Sequence, residues 1–404
     1  MSGSTQAAVT SHIAMPGWAV GGSVEVLVSA LAKAGGEPRF VGGCVRDSLL
    51  GRPVHDIDIA TVLLPETTLK VLQGVSIKTV PTGIDHGTVT AVFPDRSIEV
   101  TTLRRDVETD GRHATVAFTD DWFEDAARRD FTMNALFLSP DGTLTDFFHG
   151  LSDARAGKVR FVGNPADRIE EDYLRVLRYF RFLAHYGKGE PDPDAVDACR
   201  VGASGLESLS GERLAKEFFR LLEAEDPVPA LRLMEANGCL HPFGVGPTGI
   251  DRLAALPISA RNDRMLRFMA LLSDDAEIAE AAIDRLRLSN ADADRIHAAR
   301  SGFCTSGPSV EEQLYRNGVP AVFDSAMLQM ADGNNNNSLQ QALDVANAWQ
   351  APVFPIKGQD ILDMAVEPGP RIGSVLKSVE DWWIENDFRP DREECLLRAR
   401  SLLG

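Results

Sequence analysis

In FVGGCVRDSLLGRPVHDIDIAT, residues 40–61, two glycines, an arginine and two aspartates flanking one isoleucine share a short stretch. HDIDIAT alternates polar and apolar residues as a β-strand does, and on a strand Asp56 and Asp58 project from one face, a few ångströms apart. Two such carboxylates repel one another. A divalent cation relieves that repulsion, and Mg²⁺ favours carboxylate oxygens with water and phosphate oxygens completing its octahedron. Two ions held in this way can activate an attacking hydroxyl and stabilise a departing pyrophosphate. The alternative is a strand whose polar face meets water, since D-x-D by itself is common. Three neighbours bear on the choice. Gly42 and Gly43 let backbone approach a ligand closely, with amides opening onto a helix N-terminus suited to phosphate. Arg46, one turn into that helix, can present a cationic fork to a triphosphate. Glu99, between Ile98 and Val100, is either a third acidic ligand beside the first two or an exposed strand glutamate.

The elements that must carry these residues are legible in outline. Residues 1–22 read as a poorly ordered lead-in, and Ser23 to Ala34 has helical spacing. RFVGG reads as a short strand ending in a glycine turn, CVRDSLLG as a two-turn helix closed by Gly51. IKTVPT, TVTAVFP and SIEVTTLR continue the strand pattern, and RDFTMNALFLSPDGTLTDFF contains a helix entry and a hairpin with Asp-Gly at its turn. Strands and helices alternate to about residue 160. NPADRIEEDYLRVLRYFRFLAHYG, residues 164–187, then carries apolar residues at Ile169, Tyr173, Leu174, Leu177, Phe180 and Leu183, which predicts one helix of more than five turns. The remainder reads as helical with short loops.

A chain of 404 residues suggests two or more compact units. Its 44% hydrophobic and 25% charged residues are those of an ordinary globular protein. Five scattered cysteines without C-x-x-C fit reduced thiols in a cytoplasmic protein better than a disulfide framework. The N-terminus has neither a basic n-region nor a continuous apolar core, so no signal peptide is expected, and no apolar run is long enough for a membrane span. The net charge of −18 argues against a protein that coats nucleic acid non-specifically. It leaves room for a local basic face, because Arg104, Arg105, Arg128, Arg129, Arg175, Arg178 and Arg181 cluster in one part of the chain.

The order of an apolar residue with GG, Asp-apolar-Asp and an apolar-flanked acid resembles the polymerase-beta nucleotidyltransferase superfamily. GGCVRDSLLGRPVHDID resembles the first motif of the class II tRNA nucleotidyltransferases (CCA-adding enzymes) and bacterial poly(A) polymerases; RRDFTMNAL at 128–136 resembles their second and EDYLRVLRYFRF at 171–182 their nucleotide-selecting motif. LSDARAGKVRFVGNP and SGERLAKEFFRLL match in kind and order. The similarity covers residues 38–225 strongly and the rest loosely.

What the resemblance implies is an α+β fold: a polymerase-beta-like head with a mixed or antiparallel sheet and helices, then an all-α neck, body and tail. The boundaries are a lead-in at 1–22, a catalytic head at 23–160, a neck with the nucleotide-selecting helix at 161–225, a body at 226–310 and a tRNA-binding tail at 311–404. It implies addition of C, C and A to the 3′ end of tRNA from CTP and ATP, with Mg²⁺ on Asp56 and Asp58, Glu99 beside them, and Gly43, Arg46 and Arg129 on the nucleotide. The base falls to Asp172 and Arg175, with Arg178 and Arg181 near the incoming nucleotide and in the supporting network. The residue chemistry agrees. Cytosine and adenine both present an amino group beside a ring-nitrogen acceptor; a carboxylate takes the amino hydrogen while a guanidinium donates to the ring nitrogen. Uracil and guanine present a carbonyl and a ring N–H there, so both contacts become like-to-like. The plain alternative is an i,i+3 ion pair on a solvated helix face. Asp130 is either part of the second motif's contacts or a cap holding its turn.

Residues 101–118 lie where the family carries a flexible loop associated with switching from C to A, here with Arg104, Arg105, Asp110, Arg112 and His113, and with Ala114 where proline is expected. Lys357, Arg371 and Lys377 are candidate phosphate contacts in the tail or scattered solvated charges. Alternatives to full CCA addition are a bacterial poly(A) polymerase, a partial A-adding or CC-adding enzyme, or an inactive RNA-binding module on the same fold. The basic stretches usual in the polymerases are missing from this acidic chain, the retained loop argues against CC-only addition, and the intact Asp56 and Asp58 argue against the inactive module.

Overall fold

In the computed structural model, residues 8–109, 114–334 and 337–403 are described. The chain divides into two compact units, residues 1–242 and 243–404.

The first unit is built on an eight-stranded mixed sheet. Its strands are β1 (Val9–His12), β2 (Arg39–Val41), β3 (Asp58–Thr61), β4 (Lys78–Gly83), β5 (Thr88–Val92), β6 (Ser97–Thr102), β9 (Leu136–Leu138) and β10 (Thr143–Asp146), in the order β1-β10-β9-β2-β3-β6-β5-β4. β7 (Arg104–Thr109) and β8 (Ala114–Phe118) form a separate antiparallel pair. Every neighbouring pair in the large sheet is antiparallel except β3 and β6, which run parallel with Asp58 opposite Glu99. That exception sets two acidic residues side by side on neighbouring inner strands.

Helices α1 (Gly22–Lys33), α2 (Gly43–Leu49) and α3 (Pro65–Gly74) accompany the first strands. Val24, Leu27 and Leu31 of α1 and Leu72 of α3 join Phe40, Ile57, Ile59, Ile98, Val100, Leu136 and Leu138 in one core. A second core gathers Val41, Ala60, Leu103 and Phe137 with Trp122 and Ala126 of α4 (Trp122–Ala127). The β9–β10 turn needs Gly142, with φ of +89°, because a Cβ there would lie 2.5 Å from the Ile13 carbonyl oxygen.

The segment read as a lead-in is built into this unit from residue 8. Val9–His12 pairs antiparallel with β10, and Trp18 donates its indole N–H to Ser48 Oγ at 2.7 Å while its ring meets Phe40 edge-on. Its strand is short and exposed on every residue, so no apolar alternation marks it in the sequence.

Helices α5 (Gly150–Ala156), α6 (Pro165–Glu171), α7 (Leu174–Tyr186), α8 (Pro193–Gly202), α9 (Gly211–Leu222) and α10 (Val228–Ala236) complete the first unit. The single helix expected over 164–187 is broken: Asp172 has φ −156° and ψ +106°, which closes α6 and separates it from α7. Asp172 Oδ1 accepts the Leu174 amide at 3.1 Å, the local bond by which aspartate competes with helix continuation. The apolar period runs on through the break and conceals it. α7 packs on α9 and α10, so α10 belongs with the first compact unit. The head, neck, body and tail boundaries at 23, 161, 226 and 311 are retained as a proposed finer division.

The second unit carries ten α-helices between Gly249 and Leu403 among the described residues. One of its cores is built on Trp383, Val379, Ile361 and Cys395. Lys357, Arg371 and Lys377 are all exposed there, with Arg371 donating to the Leu403 carbonyl at 3.1 Å. No helix among the described residues is long and apolar enough to cross a membrane.

Candidate active site

The turn from β2 into α2 places Gly42 at φ +70°, a conformation open to glycine, and a Cβ there would sit 3.7 Å from Arg129 Nη1. Cys44, on the first turn of α2, points its buried thiol at the carbonyls of Val41 and Asp58 (3.3 and 3.8 Å), tying the turn to β3. Burial pushes that thiol up to about 11, so it packs and does not react.

β3 begins at Asp58, so Asp56 stands just ahead of the strand; the ladder nevertheless reaches Ile57, whose carbonyl accepts from the Glu99 amide at 3.3 Å. The alternation holds across the boundary, with Asp56 exposed, Ile57 buried, Asp58 half-buried and Ile59 buried. Burial, then the neighbouring Glu99 and Asp56, push the Asp58 carboxyl up to about 6 against the opposing pull of Arg129. Burial makes that charge costly, and a cation beside it would lower the cost. Among the described residues no three His, Cys, Asp or Glu side chains gather closely enough to hold an ion on their own. Oxygen donors from a triphosphate and water fit that incomplete set, as Mg²⁺ commonly requires.

Arg46 is more committed than its sequence position suggests. Only 7% exposed, it donates to Asp47 through Nε and Nη2 (2.9 and 2.8 Å), to Asn134 Oδ1 (2.6 Å) and to the Tyr186 hydroxyl (2.7 Å). The Tyr186 ring lies 4.2 Å beneath its guanidinium carbon. Arg129 is braced through Nε and Nη2 on Asp125 (3.2 and 2.8 Å), which leaves Nη1 beside Gly42. Asp125 also holds Arg128.

Asp130 caps its turn by accepting the Phe131 amide at 2.8 Å and the Asn134 side chain at 2.9 Å, and it also accepts Arg178 Nε at 2.8 Å. Burial alone would raise its carboxyl, but Arg178, Asn134 and the Phe131 amide outweigh burial and hold it at about 2. Arg178 and Arg181 both reach Glu217 of α9, at 3.5 and 3.0 Å. Burial brings Arg181 down to about 10.

The Asp172 carboxylate and the Arg175 guanidinium are each held by other partners. Asp172 is held by Arg213 of α9, whose Nη2 lies 3.1 Å from Oδ1 and 2.9 Å from Oδ2. Arg175 Nη1 donates to the Arg168 carbonyl at 2.7 Å and to Glu171. Glu171 also takes Arg168.

Two clefts meet at Asp58. One, of about 470 Å³, is walled by Gly42, Gly43, Asp58, Arg129, Asp130, Asp172, Arg175, Arg178 and Arg213. The other, of about 490 Å³, is lined by Arg46, Asp56, Asp58, Arg178, Arg181, His185 and Tyr186. Gly43, Asp58, Asn134 and Arg178 line both. Nine of the ten residues to which the resemblance assigns catalytic or nucleotide contacts line one or both of these clefts. Glu99 lines neither cleft and acts on Asp58 from the adjacent strand.

Sequence reasoning passed over Asp125, Asn134, Glu171, Tyr186, Arg213 and Glu217. Asp125 before Arg129 and Glu171 before Arg175 stand at the i,i+4 spacing of helix ion pairs and were open to being read. Arg213, Glu217 and Tyr186 reach their partners across the fold, with no local signal. Asp110, Arg112 and His113 lie outside the described residues; the flanking segments 104–109 and 114–118 are the strands β7 and β8.

The mixed-sheet head thus joins a glycine turn to the acidic start of the inner strand β3, and helices follow it. Residues 38–160 match the family model described as Poly A polymerase head domain, and residues 190–244 match the one described as Probable RNA and SrmB- binding site of polymerase A. The mitochondrial CCA tRNA nucleotidyltransferase 1 of Danio rerio is 33% identical over 89% of this chain and 86% of its own length. The CCA-adding enzyme of Limosilactobacillus fermentum is 32% identical over 93% of this chain and 96% of its own. Among solved structures, the Bacillus stearothermophilus CCA-adding enzyme in complex with CTP superposes with a TM-score of 0.77 at 25% identity, covering 93% of this chain and 95% of that one. The chain belongs to the family of CCA tRNA nucleotidyltransferases. Nucleotidyltransferases of this family generally depend on a divalent metal.

Proposed function

We propose that the chain adds CCA to the 3′ end of tRNA, using CTP and ATP and releasing pyrophosphate, with Asp56 and Asp58 as the residues that hold Mg²⁺. The observation that carries this reading is the cleft in which Gly42, Gly43, Asp58 and Arg129 share walls with Asp172, Arg175 and Arg178. One end can hold a triphosphate and the other can read a base, with no nucleic-acid template between them.

In the reaction the 3′-oxygen of the RNA bonds to the α-phosphorus while the bond from that phosphorus to the bridging oxygen of the pyrophosphate breaks. Bound Mg²⁺ supplies charge neutralisation for the triphosphate and lowers the pKa of the attacking hydroxyl. Asp58, half-buried and acid-crowded, and Asp56, exposed beside it, provide hard oxygen donors for the ion. Glu99 keeps the local field negative from the neighbouring strand. Gly42 and Gly43 leave room for phosphate against the backbone, and Arg129 directs Nη1 to that turn. Arg46 orders the turn through Asn134 and Tyr186, with one Nη1 hydrogen beyond those bonds for a phosphate oxygen.

At the other end Asp172 accepts the amino group of cytosine or adenine and Arg175 donates to the ring nitrogen. Both side-chain bonds of Arg175 use Nη1, which leaves Nη2 for the base. Arg178, clamped on Asp130 and Glu217, and Arg181 on Glu217 hold the reading helix against α9 and place positive charge between the two clefts. The second cleft, between Asp56 and α7, receives the RNA 3′ end, with body and tail helices on the acceptor arm. The cysteines are all free thiols, in keeping with a reducing cytoplasm. Incubating the protein with tRNA that stops before CCA, and with each nucleoside triphosphate alone and together, tests the reading: C and then A are incorporated and growth stops. No incorporation would overturn it.

A further inference from the structure

If Asp172 and Arg175 read the base, something must prevent them from neutralising each other, since they stand three residues apart and carry opposite charge. In the structure each is drawn outward. Glu171 and the Arg168 carbonyl occupy Nη1 of Arg175, and Arg213 occupies Asp172. The Arg213 bond spans forty-one residues and comes from a different helix. Arg213 rises from the first turn of α9, where Ser210 caps the helix and accepts the Arg213 amide at 3.5 Å. Leu214 and Phe218, both at 0% exposure, fix that turn in the core.

The bonding at Asp172 is directional. Nη2 of Arg213 straddles both carboxylate oxygens, and the Leu174 amide takes a further site on Oδ1. A carboxylate offers about four acceptor sites. Three are used, two on Oδ1 and one on Oδ2, so the remaining capacity lies on Oδ2. The terminal torsion of aspartate is broad, and the Leu174 amide alone restrains only one oxygen. The pair is also partly solvated, with side-chain exposures of 41% for Arg213 and 30% for Asp172. An ion pair so exposed adds little to the stability of the fold. Its effect is on where the carboxylate points.

We infer that Arg213 is a positioning residue for base selection. It turns the Asp172 carboxylate so that Oδ2 meets the exocyclic amino group of cytosine or adenine, and it keeps Asp172 off Arg175. Arg213 lines the same cleft as both and acts through Asp172, whose carboxylate its Nη2 holds. This role rests on the base-reading function proposed above for Asp172.

The test measures kcat and KM for CTP and for UTP on tRNA lacking CCA, with the full chain and with Arg213→Ala, Arg213→Lys and Asp172→Ala. Arg213→Ala is expected to lower the CTP-over-UTP preference about tenfold, the value of one hydrogen bond to a charged group, with the loss falling on KM for CTP. Arg213→Lys keeps part of the preference through its single ammonium. Guanidinium chloride at millimolar concentration restores preference to Arg213→Ala and leaves Asp172→Ala unchanged. An unaltered preference in Arg213→Ala beside a lost one in Asp172→Ala overturns the positioning role and leaves the reading of Asp172 standing. An unaltered preference in both removes the reading of Asp172 and the inference with it. Equal loss towards CTP and UTP in Arg213→Ala, with a lowered melting temperature, would reduce Arg213 to a structural prop and overturn the inference.

Discussion

The two ends of the proposed nucleotide cleft are wired in opposite ways. At the phosphate end burial, with Glu99 and Asp56 beside it, drives the Asp58 carboxyl up to about 6 against the pull of Arg129. At the base end every charge is matched: Asp172 with Arg213, Arg175 with Glu171, Arg178 with Asp130 and Glu217. The first end has unspent negative charge and gains most from a cation that arrives with substrate. The second is held rigid by protein partners, as a surface must be to tell one hydrogen-bond pattern from another. Chemistry and choice are thus separated in space, and a substitution at one end should leave the other intact.

The largest effect is expected from Asp58→Ala. If Asp58 holds the metal as proposed, its removal costs several kcal/mol of transition-state stabilisation, on the order of a thousandfold in rate, equally for CTP and ATP. Single-turnover incorporation of each nucleotide measures it, and a loss confined to one nucleotide would erase the separation of the two ends. Asp172→Ala or Arg175→Ala is expected to reduce discrimination against UTP and GTP about ten- to a hundredfold, because a polar readout lost leaves wrong bases less penalised. Nucleotide transfer itself persists, and unchanged selectivity in both variants would refute the assignment.

Acid titration separates the ends by stability. Asp130 has a folded-state pKa of about 2 against an ordinary 3.8, so its contribution is complete above the ordinary value and is lost as pH falls from about 4 towards 2. That loss amounts to about 2 kcal/mol, and circular dichroism should show it removed in Asp130→Asn. Asp58 has the opposite sign. Its carboxyl is raised from 3.8 to about 6, so ionising it costs the fold stability as pH rises through that window. At pH 8 without metal, Asp58→Asn should therefore melt higher than the parent by about 2 °C or more. Added Mg²⁺ should raise the parent's melting temperature and leave the variant's unmoved.

The juxtaposition of the residues at the proposed phosphate end is largely legible in the sequence, because they are local. Gly42, Gly43, Arg46, Asp56 and Asp58 fall within one turn–helix–strand unit, and alternation alone gives the shared face of the aspartates. Even so, the parallel pairing that sets Glu99 beside Asp58 depends on strand order, which no local pattern contains. At the proposed base end, spacing points to Asp172, Arg175, Arg178 and Arg181 but not to the way they are held. The continuous apolar period from Ile169 to Leu183 predicted one helix, and the side-chain bond by which Asp172 breaks it leaves that period untouched. Arg213, Glu217 and Tyr186 meet their partners across 36 to 140 residues of chain, where spacing carries no information. The edge strand Val9–His12 escaped because exposure on both faces gives no alternation.

The central claim is that one protein surface supplies both the reaction and the template. Its most direct test is to extend tRNA lacking CCA with all four nucleoside triphosphates present and to sequence the products of the parent and of Asp172→Ala. The parent should add C, C and A and stop, while the variant should extend the same ends with U and G among the added residues. Long A tracts from the parent, or CCA added with unchanged fidelity by the variant, would contradict it.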